Sequence, residues 1–141
     1  MNTAATLRYE DIAVGQRVAF SATFGTDDIL AFARLTGDFN PLHVDAEYAK
    51  GTRFERCVVH GMLLAGLLSR LVGMHLPGQK CLYLSQSLDF AQPVFAGQQL
   101  SVQGVVVGKQ DAMCAVTIAT QIQNEAGVVV VRGRALVQVL V

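Results

Sequence analysis

The sequence lacks paired cysteines, an excess of charge of one sign and a long apolar run. These absences argue against a disulfide-stabilised fold, a nucleic-acid-binding protein and a membrane-spanning protein. Its three cysteines, Cys57, Cys81 and Cys114, are widely spaced, and none belongs to a C-x-x-C pair. An odd number without paired spacing indicates neither a disulfide framework nor a zinc site. We therefore expect three reduced thiols.

The balance of charges and the short apolar runs argue against nucleic acid and membranes as partners. Eleven basic residues balance eleven acidic ones, so there is no basic surplus to attract nucleic acid or anionic lipid. The most apolar stretch, 61–72, contains Arg70 and is too short to cross a bilayer. The first twelve residues contain no apolar signal segment. We expect a soluble, cytoplasmic protein with no nucleic-acid partner and no membrane partner.

Cofactor motifs are also missing from the sequence. There is no P-loop and no Rossmann glycine pattern. No set of histidine, cysteine and carboxylate residues has the spacing of metal ligands. The prediction is therefore no nucleotide cofactor and no metal.

No internal repeat or charged linker divides residues 1–141, and 52% hydrophobic residues suffice for one core. We expect a single domain, loose only in an N-terminal arm up to about Gly15. The first half predicts one strand, a helix, an irregular loop, a helical turn and a long helix that is apolar on almost every side and therefore buried. In that order these segments are 17–25, 27–36, 37–44, 46–50 and 60–76.

The second half changes to β-rich runs separated by turn signals. These runs are 81–90, 100–108, 113–123 and 128–141. Four strands in meander order are predicted, giving an α+β domain with an antiparallel sheet of about five strands. The all-round apolar helix and the alternating strands leave a lone protomer incomplete, so we also expect a homo-oligomer.

The segment TGDFNPLHVD, residues 36–45, carries the strongest chemical signal. Asp38 and His43 lie five apart around a proline-containing turn, a spacing that can place a carboxylate and an imidazole on either side of one water molecule. Asp38 could instead cap a turn and His43 could be an ordinary loop histidine. Asn40 and Pro41 favour the catalytic interpretation, because together they would hold the loop rigid.

This segment resembles the G-D-x-N-P-x-H signature of the MaoC-like dehydratases and R-specific enoyl-CoA hydratases, and every fixed position is met. Segments 54–73 and 83–100 resemble the same family. The resemblance implies a hotdog fold, in which the sheet wraps a long central helix, and a homodimer. It also implies hydration of trans-2-enoyl-CoA to the (R)-3-hydroxyacyl thioester, with coenzyme A present only as part of the substrate.

The resemblance further assigns site residues. Asp38 and His43 would position and activate the water, without a decision on which returns a proton to carbon. The N–H of Gly61 would bind the thioester carbonyl, a role that the start of a helix favours, although Gly61 alone could simply allow tight packing. Asn40 would have a supporting role in the loop only. Ser69 matches a serine near the active site of the R-specific hydratases, and it lies about two helical turns beyond Gly61, so both could face the same side of the helix. Met62, Val72 and Leu136 are candidate walls of the acyl pocket, although each is more often plain core.

For Ser69, a hydroxyl bonded to its own helix is an equal alternative. Lys80, Lys109, Arg132 and Arg134 are possible contacts for the coenzyme A phosphates without the support of a motif, and solvated surface charge is the better interpretation of each.

Three other functions remain open at this point. A dehydratase for acyl-carrier-protein thioesters would share the same fold and chemistry. A hotdog thioesterase usually has a carboxylate on or near the central helix, and residues 61–74 contain none. A non-catalytic thioester-binding domain would not need both Asp38 and His43.

Overall fold

The computed structural model describes residues 3–141, so Met1 and Asn2, the beginning of the N-terminal arm, lie outside the described residues. The rest of the arm is not loose, which corrects our expectation. The Ala5 N–H donates to the Met74 carbonyl at 2.9 Å, and the Ile12 side chain is buried in the core. Burial of one apolar side chain and pairing of the backbone hold this segment against the domain.

Four α-helices precede most of the sheet. They are α1 (Thr26–Thr36), α2 (Pro41–Val44), α3 (Ala46–Lys50) and α4 (Gly61–Arg70), and a π-helical turn over Leu71–His75 extends α4. The strands are β1 (Arg17–Thr23), β2 (Cys81–Gln86), β3 (Asp89–Phe90), β4 (Gln99–Gln110), β5 (Ala115–Gln123) and β6 (Val129–Val139).

The strands form one antiparallel sheet in the order β1-β4-β5-β6-β2, with the short β3 also paired to β6. The α+β architecture is confirmed, with six strands rather than about five. The run 81–90 gives two strands because the register shifts between Tyr83 and Ser85 and the chain leaves the ladder after Gln86.

The predicted meander of four strands is wrong for the first of them. Only β4, β5 and β6 follow one another in space, whereas β2 lies beyond β6 at the far edge. Eight residues, 91–98, separate β3 from β4, which is longer than a tight hairpin turn. Periodicity along the chain indicates strands, but the pairing of distant strands depends on contacts that it does not encode.

Helix α4 packs against one face of the sheet. The side chains of Leu64, Leu67, Leu68 and Leu71 are buried with those of the inner sheet face. Gly104 on β4 allows this approach, because a Cβ there would lie 2.8 Å from a methyl carbon of Leu71. The prediction that the helix is buried on every side is wrong for the protomer, since Met62, Gly66, Ser69 and Arg70 are exposed.

The cysteines and the helix lengths can be compared with the sequence predictions. Cys57, Cys81 and Cys114 are unpaired and partly buried among the described residues, and their reduced state stays a prediction. Within residues 3–141, no helix is long and apolar enough to cross a membrane.

Candidate active site

The loop after α1 is ordered by its own polar groups. Gly37 ends α1 with a φ of 82°, a left-handed conformation that glycine adopts without strain. The Asp38 N–H donates to Thr36 Oγ1, and Asp38 Oδ1 accepts from the Asn40 N–H, each at 3.2 Å. The carboxylate of Asp38 is thereby oriented by the backbone of its own loop.

The second half of this segment is helical, which corrects the prediction of an irregular loop over 37–44. Asn40 Oδ1 accepts from the Leu42 N–H at 3.0 Å and so caps the single turn of α2. Pro41 occupies the first helical position, where its missing N–H costs nothing. Asn40 therefore caps the helical turn that carries His43, and its supporting role in catalysis stays a prediction.

His43 points one ring nitrogen at the protein backbone. Its Nδ1 lies 2.6 Å from the Val58 carbonyl oxygen. A carbonyl oxygen can only accept, so Nδ1 carries the hydrogen and donates, and Nε2 has the free lone pair of the neutral ring. The imidazole is thus fixed in the tautomer that a base facing the site requires.

The acid and the imidazole lie side by side, together with a second histidine. One nitrogen or carboxylate oxygen from each of Asp38, His43 and His60 lies within 4.8 Å of the others. The Asp38 side chain is 48% exposed, whereas that of His60 is 2% exposed. Two groups that hydrogen-bond to one water at about 2.8 Å lie about 4.6 Å apart when the angle at the water is tetrahedral. The spacing of Asp38 and His43 therefore allows one water to bridge them.

Gly61 is the first residue of α4. The first N–H groups of a helix have no acceptor within the helix, and they lie at the positive end of its dipole. The ring of Phe90 lies directly against Gly61, so that a Cβ built on the glycine would be 2.9 Å from Phe90 Cε1. The geometry leaves the Gly61 N–H available to a ligand oxygen beside an aromatic wall.

These residues line one cavity of about 510 Å³. It brings together four of the predicted site residues, Asp38, His43, Gly61 and Met62. It also contains residues that sequence reasoning missed, among them Arg53, Phe54 and Phe90. Phe90 lies in the segment 83–100 that resembles the family, but nothing in its local sequence indicates that it reaches α4.

The other three predicted wall residues lie outside this cavity in the protomer. Ser69 is on the exposed side of α4, two turns beyond Gly61. Val72 is 1% exposed and belongs to the core. Leu136 lines a shallow depression next to Ser85, elsewhere on the sheet. The helical spacing between Gly61 and Ser69 could not show that the cavity lies beside Phe90 of β3 instead.

The cations that were predicted as possible contacts for the coenzyme A phosphates also lie outside this cavity. None of Lys80, Lys109, Arg132 and Arg134 lines the cavity, and Arg53 is the cation among its described lining residues. The Lys109 ammonium is occupied, since it donates to the Tyr9 and Ile12 carbonyls at 2.9 and 2.6 Å. Arg53 is exposed, and its guanidinium carbon lies 4.8 Å from the centre of the Phe54 ring. It is therefore the cation best placed to meet an anionic substrate.

The cluster of Asp38, His43 and His60 could also suggest a metal site, because three possible ligands are close together. His60 Nε2 lies 3.0 Å from the Asp38 carbonyl oxygen and donates to it, so the lone pair of a neutral His60 ring is on Nδ1, which is buried. The expectation that the protein holds no metal stays a prediction.

A second cavity, of about 530 Å³, is also lined by His43. Its lining combines apolar side chains of α1 and α2 with Phe95 and with charged side chains of both signs, Glu47, Lys50, Glu55 and Arg56. Its thiol, Cys57, is a weak nucleophile, because burial and then the carboxylate of Asp45 raise its pKa. Covalent catalysis at this thiol is therefore disfavoured.

Comparison with known proteins identifies related folds and sequences. The family model described as "MaoC like domain" matches residues 10–128. The chain is 43% identical to the (R)-specific enoyl-CoA hydratase of Aeromonas caviae over 92% of this chain and 96% of that protein. It is 37% identical to a mitochondrial 3-hydroxyacyl-[acyl-carrier-protein] dehydratase of Solanum lycopersicum, over 86% and 74% of the two chains.

The fold agrees with a solved structure from the same group. The unliganded R-hydratase from Pseudomonas aeruginosa superposes with a TM-score of 0.92 at 36% identity, covering 97% of this chain and 88% of that one. The expected sheet wrapped around a helix is thus confirmed as the fold of these hydratases.

Proposed function

Because the chain belongs to the MaoC-like dehydratase family, we propose that it is an (R)-specific enoyl-CoA hydratase that adds water to trans-2-enoyl-CoA. One observation carries the proposal: Asp38, His43 and the first amide of α4 line the same cavity. High identity to an (R)-specific hydratase over almost the whole of both chains supports the substrate and the stereochemistry.

The acid/base pair positions and activates the water molecule. The carboxylate of Asp38 and Nε2 of His43 each accept one hydrogen of a shared water molecule, which fixes the water and raises the electron density on its oxygen. The oxygen attacks C3 of the enoyl thioester while one of the pair takes a proton. The same pair then delivers a proton to C2 from the face on which the oxygen was added.

The helix amide stabilises the charge that develops. As the C3–O bond forms, the electron pair of the C2–C3 double bond moves into the thioester carbonyl and generates an enolate. The Gly61 N–H donates to this oxygen, with the helix dipole aligned to favour negative charge. Protonation of C2 restores the carbonyl, so the reaction is redox-neutral and needs no cofactor beyond the coenzyme A of the substrate.

The same groups catalyse the reverse dehydration, so the physiological direction depends on concentrations. Acyl-carrier-protein thioesters are the second candidate substrate, favoured by the similarity to a plant dehydratase for that carrier. Hydrolysis is disfavoured, because the described part of α4 offers no carboxylate to activate a hydrolytic water and Asp38 is the carboxylate in the cavity lining.

We also propose that the enzyme is a homodimer. Strand β2 ends the sheet and pairs on one side with β6, while Leu82 and Leu84 on it are 51% and 40% exposed. An edge strand with exposed apolar side chains is a site for pairing with another chain. Light scattering after size-exclusion chromatography should give twice the chain mass, and a monomer would contradict this proposal.

The activity is tested with purified protein and crotonyl-CoA. Hydration removes the conjugated double bond, so the absorbance of the enoyl thioester should fall without release of free thiol. The product should be oxidised by a dehydrogenase specific for (R)-3-hydroxyacyl-CoA and not by one specific for the S isomer. Release of free coenzyme A would instead indicate a thioesterase, and faster turnover of crotonyl-ACP would indicate the other carrier.

A further inference from the structure

His60 contacts all three parts of the proposed catalytic machinery. It is the residue immediately before Gly61, at the N-terminal cap of α4. Its Nε2 lies 3.0 Å from the carbonyl oxygen of Asp38. Its ring stacks on that of His43, with centroids 4.0 Å apart and an angle of 27° between the planes. One buried side chain thus connects the acid, the base and the oxyanion amide.

The hydrogen bond has a defined direction. The Asp38 carbonyl can only accept, so His60 Nε2 carries the hydrogen and donates. The other ring nitrogen, Nδ1, is buried and has no hydrogen-bond partner among residues 3–141. Among the described residues, Asp38 is therefore the polar partner of this ring, through the hydrogen bond to its carbonyl and through its carboxylate oxygen Oδ2, which lies 4.0 Å from His60 Nε2.

Packing restricts the ring from two sides. Phe32 of α1 is tilted against it with centroids 4.7 Å apart, and His43 stacks upon it. A ring confined in this way cannot turn to exchange a proton with the substrate while it still donates to Asp38. Its contacts suit the fixing of neighbouring groups better than proton transfer.

We infer that His60 is a positioning residue, whose donation to the Asp38 backbone and stacking on His43 set the distance between the two groups that share the catalytic water. This inference rests on the proposed hydratase function. The backbone of Asp38 belongs to a loop that is otherwise held by short-range contacts, whereas His60 ties it across 22 residues of sequence to the start of α4.

Two variants separate the two contacts. His60→Gln keeps an amide that can donate to the Asp38 carbonyl and loses the stacked ring, whereas His60→Phe keeps the ring and loses the donor. Misplacement by about 1 Å can cost about 100-fold in rate. We expect kcat for crotonyl-CoA to fall about 10- to 100-fold in both variants with KM changed less than about threefold, and further in His60→Ala.

The matched control is His75→Phe. The His75 ring also stacks on an aromatic side chain, that of Phe20, and also has an unpartnered buried nitrogen, but it lies at the far end of the π turn and does not line the cavity. It should change kcat less than about twofold. Thermal unfolding of each variant shows whether it folds, and His60→Gln and His60→Phe remain informative if His60→Ala does not.

A double variant tests whether His60 acts through Asp38. Residues that work as a unit are not additive, so His60→Phe should reduce kcat much less in an Asp38→Asn background than in the wild type. Full additivity, or His60→Phe and His60→Gln with wild-type kcat, would overturn the inference while the wild-type rate still supports the hydratase function. A wild-type protein that does not hydrate crotonyl-CoA would overturn both.

Discussion

The ring of Phe90 on β3 covers Gly61 at the first turn of α4 so closely that the glycine position has no room for a methyl group. A Cβ there would lie 2.9 to 3.2 Å from three carbons of the ring. Phe90 is 50% exposed and lines the cavity, so a side chain at position 61 would push the ring and change the shape of the cavity wall. Glycine at this position avoids that overlap.

Gly61→Ala should lower kcat/KM for crotonyl-CoA about 10- to 100-fold, although the amide remains. The added methyl displaces the Phe90 ring into the cavity and shifts the thioester from the N–H. Adding Phe90→Leu should restore part of the activity, because the smaller side chain relieves the overlap. Steady-state kinetics of the three proteins measure both effects.

Gly66→Ala is the matched control for this pair. It lies on the same helix, and a Cβ there meets nothing within 4 Å. Alanine should leave the kinetics unchanged and raise the melting temperature slightly, because it favours the helix. If Gly61→Ala behaved in the same way, displacement of the Phe90 ring into the cavity would be ruled out as a cause of lost activity.

The contact between Gly61 and Phe90 also shows which parts of the site the sequence can predict and which it cannot. The motif with Asp38, Asn40 and His43 is local, and turn chemistry together with a proline at a helix start is enough to bring its groups together. Gly61 could be assigned because a helix start is also a local feature. Phe90 and Arg53 could not, because their approach to the cavity depends on how β3 and the segment after α3 pack against distant residues.

The difference between local features and contacts of distant residues also explains the errors in the predicted fold. Strand content was read correctly from β-branched residues, but β2 was placed beside β4 because the two are near each other in sequence. Ser69 was placed at the site by its helical spacing from Gly61, which gives an angle around the helix but not the side on which the sheet lies. The sheet occupies the face of Val72, and Ser69 is left outward.

Arg53→Gln should raise KM for crotonyl-CoA and leave kcat unchanged. An exposed cation that meets a phosphate is worth up to about 1 kcal/mol, so the increase should be about three- to fivefold at low ionic strength. It should shrink when salt is added, because exposed charges are screened. Initial rates at two salt concentrations measure this difference.

Arg17→Gln serves as the control for Arg53. Arg17 is an exposed cation on β1, at the edge of the sheet away from β2, and it does not line the cavity. Its replacement should leave KM unchanged at both salt concentrations. A fall in kcat for Arg53→Gln, with unchanged KM, would place this arginine in the chemical step instead of in substrate capture.

Alkali should destabilise the fold partly through Tyr83. Burial, and then the charge of Cys81, raise the pKa of Tyr83 to about 12. An unfolded tyrosine ionises at about 10, so between these values the folded state binds more protons and the free energy of unfolding falls as the pH rises. Urea unfolding of Tyr83→Phe should show a shallower fall between about pH 10 and pH 12. Equal slopes for both proteins would remove Tyr83 from the alkaline transition.

Replacing the acid and the base one at a time tests whether they share one water molecule. Asp38→Asn and His43→Gln should each lower kcat about 10²- to 10⁴-fold, with folding confirmed by unchanged thermal unfolding. If both groups hold the same water, loss of the first already releases it, so the double variant should be little slower than the slower single variant. Asn40→Asp is a useful comparison, because its carboxylate can still cap α2 and should preserve most of the rate. Multiplicative losses in the double variant would mean that Asp38 and His43 act in separate steps, which would contradict the bridging geometry even if both residues proved essential.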